Sequence, residues 1–143
     1  MKNFLLATAL LLTVFALVGS GQKAPDFREK YGPPDAKGRY RVRPNIGMKV
    51  EVSEDGRPSK MIIKRLDAED VVGTQTLMLP DVAKEILEEV VPPDKRGKLQ
   101  GTSHFAFGCI QSQTSKYEQV TITIDTRCEA QGGGAYDAVV HWK

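Results

Sequence analysis

The sequence predicts an α+β domain, an antiparallel sheet of about five or six strands with one helix packed on one face, in the order β-β-β-α-β-β-β. Three observations predict this class. Apolar and polar residues alternate with the period of a strand in two blocks, one before residue 67 and one after residue 104. A single stretch with helical periodicity separates the blocks. An apolar leader with the pattern of a signal peptide precedes them all.

Residues 1–21 have the pattern of a cleavable secretory signal. Lys2 supplies a positive charge, Phe4–Val18 is apolar apart from two threonines, and small residues follow, with cleavage possible after Ser20 or Gly21. A membrane-spanning helix needs about 20 apolar residues, whereas this stretch is fifteen residues long. We therefore expect cleavage, export to the periplasm or the medium, and membrane contact only through the uncleaved segment.

The mature chain is one domain's length and nearly neutral. Removing 21 of 143 residues leaves 122. The full chain has 20 Lys and Arg against 18 Asp and Glu, and loss of Lys2 leaves 19 against 18. Because general polyanion binders are more basic, no specific nucleic-acid partner is expected. Residues 22–38 carry three Pro and two Gly among charges, which predicts an irregular leader before a single domain over residues 39–143.

The first block predicts three strands. Arg39–Arg43 alternates basic with apolar residues, and Pro44 ends the pattern. Residues 47–66 then predict a β-hairpin, because two alternating segments flank a turn that contains Asp55-Gly56.

The stretch after the hairpin predicts a loop over residues 67–79 and then the helix. Pro80 suits the first turn of a helix, and Pro92-Pro93 ends the pattern. The apolar stripe comprises Val82, Ile86, Leu87 and Val90. The opposite face, expected to be solvated, comprises Lys84, Glu85, Glu88 and Glu89.

The second block predicts strands around Phe105 and Phe107, over residues 117–125, and from Tyr136 to Trp142. A triple glycine over residues 132–134 predicts a turn before the last strand. The polar stretch 111–116 lacks apolar alternation, which indicates a loop.

Cys109 and Cys128 are the chain's two cysteines, and an exported chain is expected to join them in a disulfide. Two unpaired thiols would be expected only without export. Metal ligation is the third alternative, but the paired C-x-x-C spacing of zinc sites is missing. If a strand covers residues 117–125, Cys109 reaches Cys128 only when residues 109–117 run back beside that strand as an antiparallel neighbour.

No residue set has the spacing of a known catalytic, metal or cofactor site, so we expect no cofactor and no metal. Histidine is the usual acid–base group near neutral pH, and the chain has two, His104 and His141. Nothing in the sequence brings them together. The sequence therefore favours a non-enzymatic exported domain that docks to another envelope or extracellular component. A small secreted hydrolase using either histidine, and an inhibitor of a secreted enzyme, remain the alternatives.

One basic cluster is a candidate binding site for an anionic partner. Arg39, Arg41 and Arg43 are expected to project from one face of a strand, roughly 7 Å apart. Such a strip could meet a lipid headgroup, a cell-wall polymer or an acidic protein face. The alternative is protection of a sheet edge, because charges on an outer strand prevent sheets from adding to one another.

Two resemblances arise. The stretch 40–44, Val91-Pro92-Pro93, Arg96–Leu99 and the cysteine pair together resemble a group of small exported bacterial proteins of unknown function. This resemblance covers most of the mature chain and implies no activity. Separately, Val50–Val52 with Asp55–Arg57 and the following helix is similar to the hairpin-helix order of the C-terminal domain of TonB-type transducers. Because the connection over residues 67–79 is longer than in that family, its function is not carried over.

Overall fold

The computed structural model describes residues 27–69, 77–128 and 133–143. The predicted signal peptide lies outside the described residues. The helices are α1 (Phe27–Tyr31), α2 (Pro80–Val90) and α3 (Pro93–Arg96), and a 3-10 turn covers Leu66–Glu69. The strands are β1 (Arg39–Arg43), β2 (Ile46–Val52), β3 (Pro58–Arg65), β4 (Leu99–Phe107), β5 (Ile110–Tyr117), β6 (Val120–Arg127) and β7 (Ala135–Trp142).

The described strands form one seven-stranded sheet in the order β1-β2-β3-β7-β6-β5-β4. Every neighbouring pair is antiparallel. The chain builds β1 to β3, passes through α2 to β4 at the far edge, and returns strand by strand to the centre. The C-terminal strand β7 therefore joins the two halves, and β1 and β4 are the two edges of the sheet.

The predicted hairpin is confirmed. β2 and β3 pair from Ile46 opposite Arg65 to Val52 opposite Pro58. Gly56 in the connecting turn has a φ of 78°, a left-handed conformation that costs glycine little because it has no Cβ. The Asp-Gly signal thus predicted the turn for the right physical reason.

The predicted helix is also confirmed, because α2 begins at Pro80 and ends at Val90. Proline at the start loses nothing, since its missing N–H would have no partner inside the helix. Its stripe packs on the sheet through Ala83, Ile86, Leu87 and Val90, all buried.

The prediction of five or six strands was too low, because β5 covers the polar stretch 111–116 that had been expected to form a loop. The expectation that residues 109–117 run back beside the next strand is confirmed, since β5 pairs antiparallel with β6. β5 shows no apolar alternation, and all of its residues are exposed or only partly buried. Its strand conformation comes from pairing with β4 and β6, which lie on either side.

The two faces of the sheet differ in chemistry. The helix face packs under α2, and one row of cross-strand neighbours on it runs Ile63, Ala138, Ile124, Gln113, His104 from β3 to β4. The open face is the other side, and the adjacent row runs Lys64, Asp137, Asp125, Ser112, Phe105. In this helix-face row, Ile63 of β3 and Ala138 of β7 are fully buried, whereas His104 of β4 is exposed. The core therefore lies over the centre of the sheet, and the β4–β5 hairpin extends beyond it.

Residues 27–31 were expected to be irregular, yet they form α1. Phe27 is 6% exposed and belongs to the main core cluster. Its ring centroid lies 6.4 Å from that of Tyr31 and 6.0 Å from that of Tyr40. Tertiary packing of one aromatic side chain thus orders a short segment whose composition disfavours a helix.

Candidate functional site

The edge strand β4 is the most unusual feature of the described structure. All nine of its residues are exposed, and Phe105 and Phe107 retain 67% and 76% of their accessible surface. The strand contains no Asp, Glu, Lys or Arg. Natural edge strands are usually short, charged, bulged or covered, because an unpaired edge recruits other strands. β4 lacks these protections over most of its length, with a single irregularity between Leu99 and Gly101.

The unpaired backbone groups of β4 can be assigned from the register. Cys128 N–H donates to the carbonyl of Cys109 over 2.9 Å, which directs the odd-numbered residues of β5 towards β6. The even-numbered residues of β5 therefore bond to β4, where their partners are odd-numbered. The amide and carbonyl groups of Thr102, His104 and Ala106 consequently point outward from the sheet.

A two-residue turn and the disulfide hold the tip of this hairpin. Phe107 lies opposite Ile110, and Gly108 between them has a φ of 58°, as a type II′ turn requires. The expected disulfide is present: Cys109 in the turn is bonded to Cys128 after β6, with their Cα atoms 5.1 Å apart. The exposed phenyl rings are thereby presented on a hairpin tied to the rest of the sheet.

The opposite edge, β1, is protected. It is five residues long, and its register with β2 shifts between Arg41 and Arg43. Such a bulge and such charges are typical devices against strand addition. The two edges of one sheet thus differ in length and in charge.

The expectation that Arg39, Arg41 and Arg43 share one face is wrong for Arg43, because the register shift turns it towards α2. Its Nη2 lies 2.9 Å from Glu89 Oε2. Arg39 is paired with Asp35 over 2.9 Å, and Arg41 is exposed. The three arginines therefore do not form one continuous basic strip.

Glu89 had been expected on a solvated face of α2, but it joins three elements. Tyr31 Oη of α1 donates to Glu89 Oε1 over 2.5 Å, and Lys30 Nζ lies 3.0 Å from the same oxygen. Arg43 completes the set. The hydroxyl of Tyr31, followed by Lys30 and Arg43, lowers the pKa of Glu89 to about 2 against the opposing effect of burial. Burial and Glu89 together raise the pKa of Tyr31.

A cleft of about 430 Å³ lies on the helix face between α2 and the β4–β5 hairpin. Pro80 and Lys84 form one wall, and the floor includes Ile124, Gln113 and His104 from three successive strands. A partner strand added to β4 would extend this floor. No carboxylate is among the described residues that line the cleft.

The two histidines lie on opposite faces of the sheet. His104 shares the helix-face row with Ile124 and Ala138, whereas His141 pairs with Lys60 and Thr121 on the open face. They are also three strands apart, which corresponds to roughly 14 Å across the sheet. The fold therefore does not bring the two imidazoles together as an acid–base pair.

The open face carries a pair of carboxylates. Asp125 of β6 lies directly opposite Asp137 of β7. Ser112 Oγ donates to Asp125, while Asp137 Oδ1 is buried with no hydrogen-bond partner among the described residues. Burial first, and then the charge of Asp125, raise the pKa of Asp137, and Lys64 and Lys60 oppose this.

The described residues contain no group of three or more His, Cys, Asp or Glu side chains that could hold a metal ion. Within the same residues, no helix is both long and apolar enough to cross a membrane. The chain matches no protein family, no curated protein and no solved structure at a significant level.

Sequence reasoning singled out His104, His141 and the arginines but not the edge β4. A signal for it was present, because Leu99–Phe107 is a nine-residue strand without a formal charge. The sequence pattern did not show where in the sheet that strand lies. An uncharged strand with exposed phenyl rings becomes a binding surface only at an edge.

Proposed function

We propose that the protein is an exported, non-enzymatic docking domain that binds an extended segment of a partner protein along β4. The observation that carries the proposal is the unprotected edge: nine exposed residues without a formal charge, two of them phenylalanine. Strand addition is a recurring mode of peptide recognition, in which backbone hydrogen bonds supply affinity and alternate side chains supply specificity.

The two faces of β4 would read different side chains of the bound segment. On the open face, alternate partner residues would lie beside Phe105 and Phe107, which favours apolar side chains. On the helix face, the intervening residues would enter the cleft beside His104, within reach of the Lys84 wall. The preferred segment is therefore an extended peptide with apolar residues at alternate positions and polar or acidic residues between them.

The export part of the proposal is supported by the disulfide between Cys109 and Cys128. Disulfides persist in oxidising compartments and are rare where thiols are kept reduced. The partner is accordingly sought in the envelope or the medium.

The test uses a displayed library of unstructured peptides, selected against the immobilised, oxidised mature chain. Binding of an enriched peptide is then measured by fluorescence anisotropy to the parent and to Ala106→Pro. Proline removes the outward N–H of residue 106 and leaves the β4–β5 bonds in place, since proline is tolerated where an edge N–H faces solvent. We expect affinity to fall about tenfold, which corresponds to about 1.4 kcal/mol.

The matched control is Ala106→Thr, which keeps the N–H and suits a strand, so the peptide should bind it within a few-fold of the parent. Equal binding to Ala106→Pro and the parent would contradict the proposal. Loss of binding on Arg41→Ser instead would move the site to β1 and favour an anionic partner there.

A further inference from the structure

We propose that two copies of the chain pair through β4, antiparallel about a two-fold axis at His104, so that one sheet continues across both copies. This goes beyond the proposed function, because the pairing needs no other partner. The second copy would occupy the same edge, and a partner segment would have to displace it.

The outward backbone groups select the register. Thr102, His104 and Ala106 present their amide and carbonyl groups at the edge, as the pairing with β5 requires. With the axis at His104, each copy's His104 faces that of the other, and Thr102 faces Ala106. All three outward residues are then paired, which makes six backbone hydrogen bonds in the antiparallel ladder.

Neighbouring registers leave part of this edge unpaired. An axis at Ser103 would place Ala106 opposite Gln100, where the β4–β5 register is irregular. An axis at Phe105 would place Thr102 opposite Gly108, which belongs to the turn. The register centred on His104 is therefore the one that pairs every outward group.

The open-face side chains are complementary in that register. Phe107 of one copy faces Gly101 of the other, and a Cβ built on Gly101 meets nothing within 4 Å. A phenyl ring can therefore lie over the glycine and cover its backbone. Lys116 lies beside Gly101 on β5, so its ammonium would approach the face of the incoming ring. The two copies of Phe105 are diagonal neighbours, a spacing that aromatic side chains span.

Charge also permits self-pairing at β4 and opposes it at β1. In an antiparallel pair about a two-fold axis, a charged residue at or beside the axis lies near its own copy, so like charges meet there. β4 has no Asp, Glu, Lys or Arg, whereas β1 has three arginines in five residues. The edge that carries formal charge, including the exposed Arg41, is therefore less suited to pair with its own copy.

The test is sedimentation equilibrium of the oxidised mature chain, with charges placed on the axis. We expect the parent to be a dimer in the micromolar range. His104→Lys and His104→Glu each set like charges against each other, and each should raise the dimer dissociation constant at least tenfold. An equimolar mixture of the two should restore the dimer, because Lys then faces Glu.

The matched control is Gln113→Lys, which adds a charge in the same row but one strand further from the axis, and it should remain dimeric. Circular dichroism checks that each variant is folded, as expected for an exposed edge position. A parent that stays monomeric through the micromolar range would overturn the proposal, and so would a mixture that stays monomeric. Peptide binding at β4 by a monomeric parent would leave the proposed function standing.

Discussion

At the scale of single residues, the facing carboxylates of Asp125 and Asp137 make an unfavourable contact on the open face. Like charges directly opposite in an antiparallel pair are destabilising, and one Asp137 oxygen is buried without a described partner. Since the pKa of Asp137 is raised above its usual 3.8, the folded state holds the proton more tightly than the unfolded state does. The loss of stability caused by ionised Asp137 is therefore absent below pH 3.8, grows as pH rises above that value, and is complete above the folded-state pKa.

Asp137→Asn is expected to stabilise the protein at neutral pH by up to ~1 kcal/mol, because it removes the repulsion from Asp125. The gain should vanish below the usual pKa of aspartate, where the parent is protonated as well. Urea unfolding of parent and variant at several pH values measures both effects. Asp125→Asn is the matched control for loss of the other carboxylate. A neutral-pH destabilisation that persists unchanged in acid would show that the pair is not repulsive.

Sequence alone placed many individual side chains correctly. The predicted strand over residues 117–125 implies that Ile122 and Ile124 face one side and Asp125 the other, and the cross-strand pairs agree. The pairing of Asp125 with Asp137 was not predictable, because cross-strand partners depend on which strands become neighbours and in what register. The contacts of Glu89 were missed for the same reason, since its three partners, Lys30, Tyr31 and Arg43, all lie more than 40 residues away.

At the scale of elements, Glu89 is where α1, β1 and α2 meet. A lowered folded-state pKa means that the ionised carboxylate contributes stability in full above about pH 4.5, its usual value. That contribution declines as pH falls from 4.5 towards 2. The effect of pH on stability through Glu89 is thus opposite in sign to its effect through Asp137.

Glu89→Gln should destabilise the protein at neutral pH by about 1–2 kcal/mol, because charge-assisted hydrogen bonds are lost in a partly exposed site. The difference between variant and parent should shrink as pH falls from 4.5 towards 2. Chemical unfolding followed by tryptophan fluorescence measures this. Glu88→Gln, on the exposed face of the same helix, is the matched control and should have little effect. Equal stability of the Glu89 variant and the parent would show that the contacts of Glu89 with α1 and β1 do not stabilise the fold.

The sequence predicted the elements that bury one face in the core. It did not predict β5 and α1, which are held by contacts with other segments of the chain. α2 and the β2–β3 hairpin carry apolar periodicity because one face of each packs in the core. β5 is ordered by backbone pairing on both sides, and α1 by the burial of Phe27. Neither cause leaves a periodic pattern in the sequence.

At the scale of the whole molecule, the disulfide joins Cys109, in the turn of the β4–β5 hairpin, to Cys128, which directly follows β6. Cys109 and Cys128 are 19 residues apart, and closing such a loop stabilises a protein by about 3 kcal/mol in the chain-entropy model. The β4–β5 hairpin adds little buried surface of its own, so the covalent link should matter most there.

Replacing both cysteines with serine should lower the free energy of unfolding by about 3 kcal/mol. Amide hydrogen exchange should accelerate more in β4 and β5 than in β2 and β3. Guanidinium unfolding and exchange mass spectrometry measure these effects, and the chemically reduced parent is the control for the substitutions. Uniform acceleration across the sheet would contradict a local role for the link.

The sequence by itself determined the alternating strands, the bounds of α2, the turn at Gly56 and the pairing of the two cysteines. Each of these follows from local conformational preference, from one-sided burial, or from there being two cysteines to join. Only the tertiary structure decided that β7 lies at the centre and that β1 and β4 form the edges. Strand order arises from pairing between distant segments, and periodicity carries no record of which segments pair. The binding surface proposed here exists because the uncharged strand is the one left at the edge.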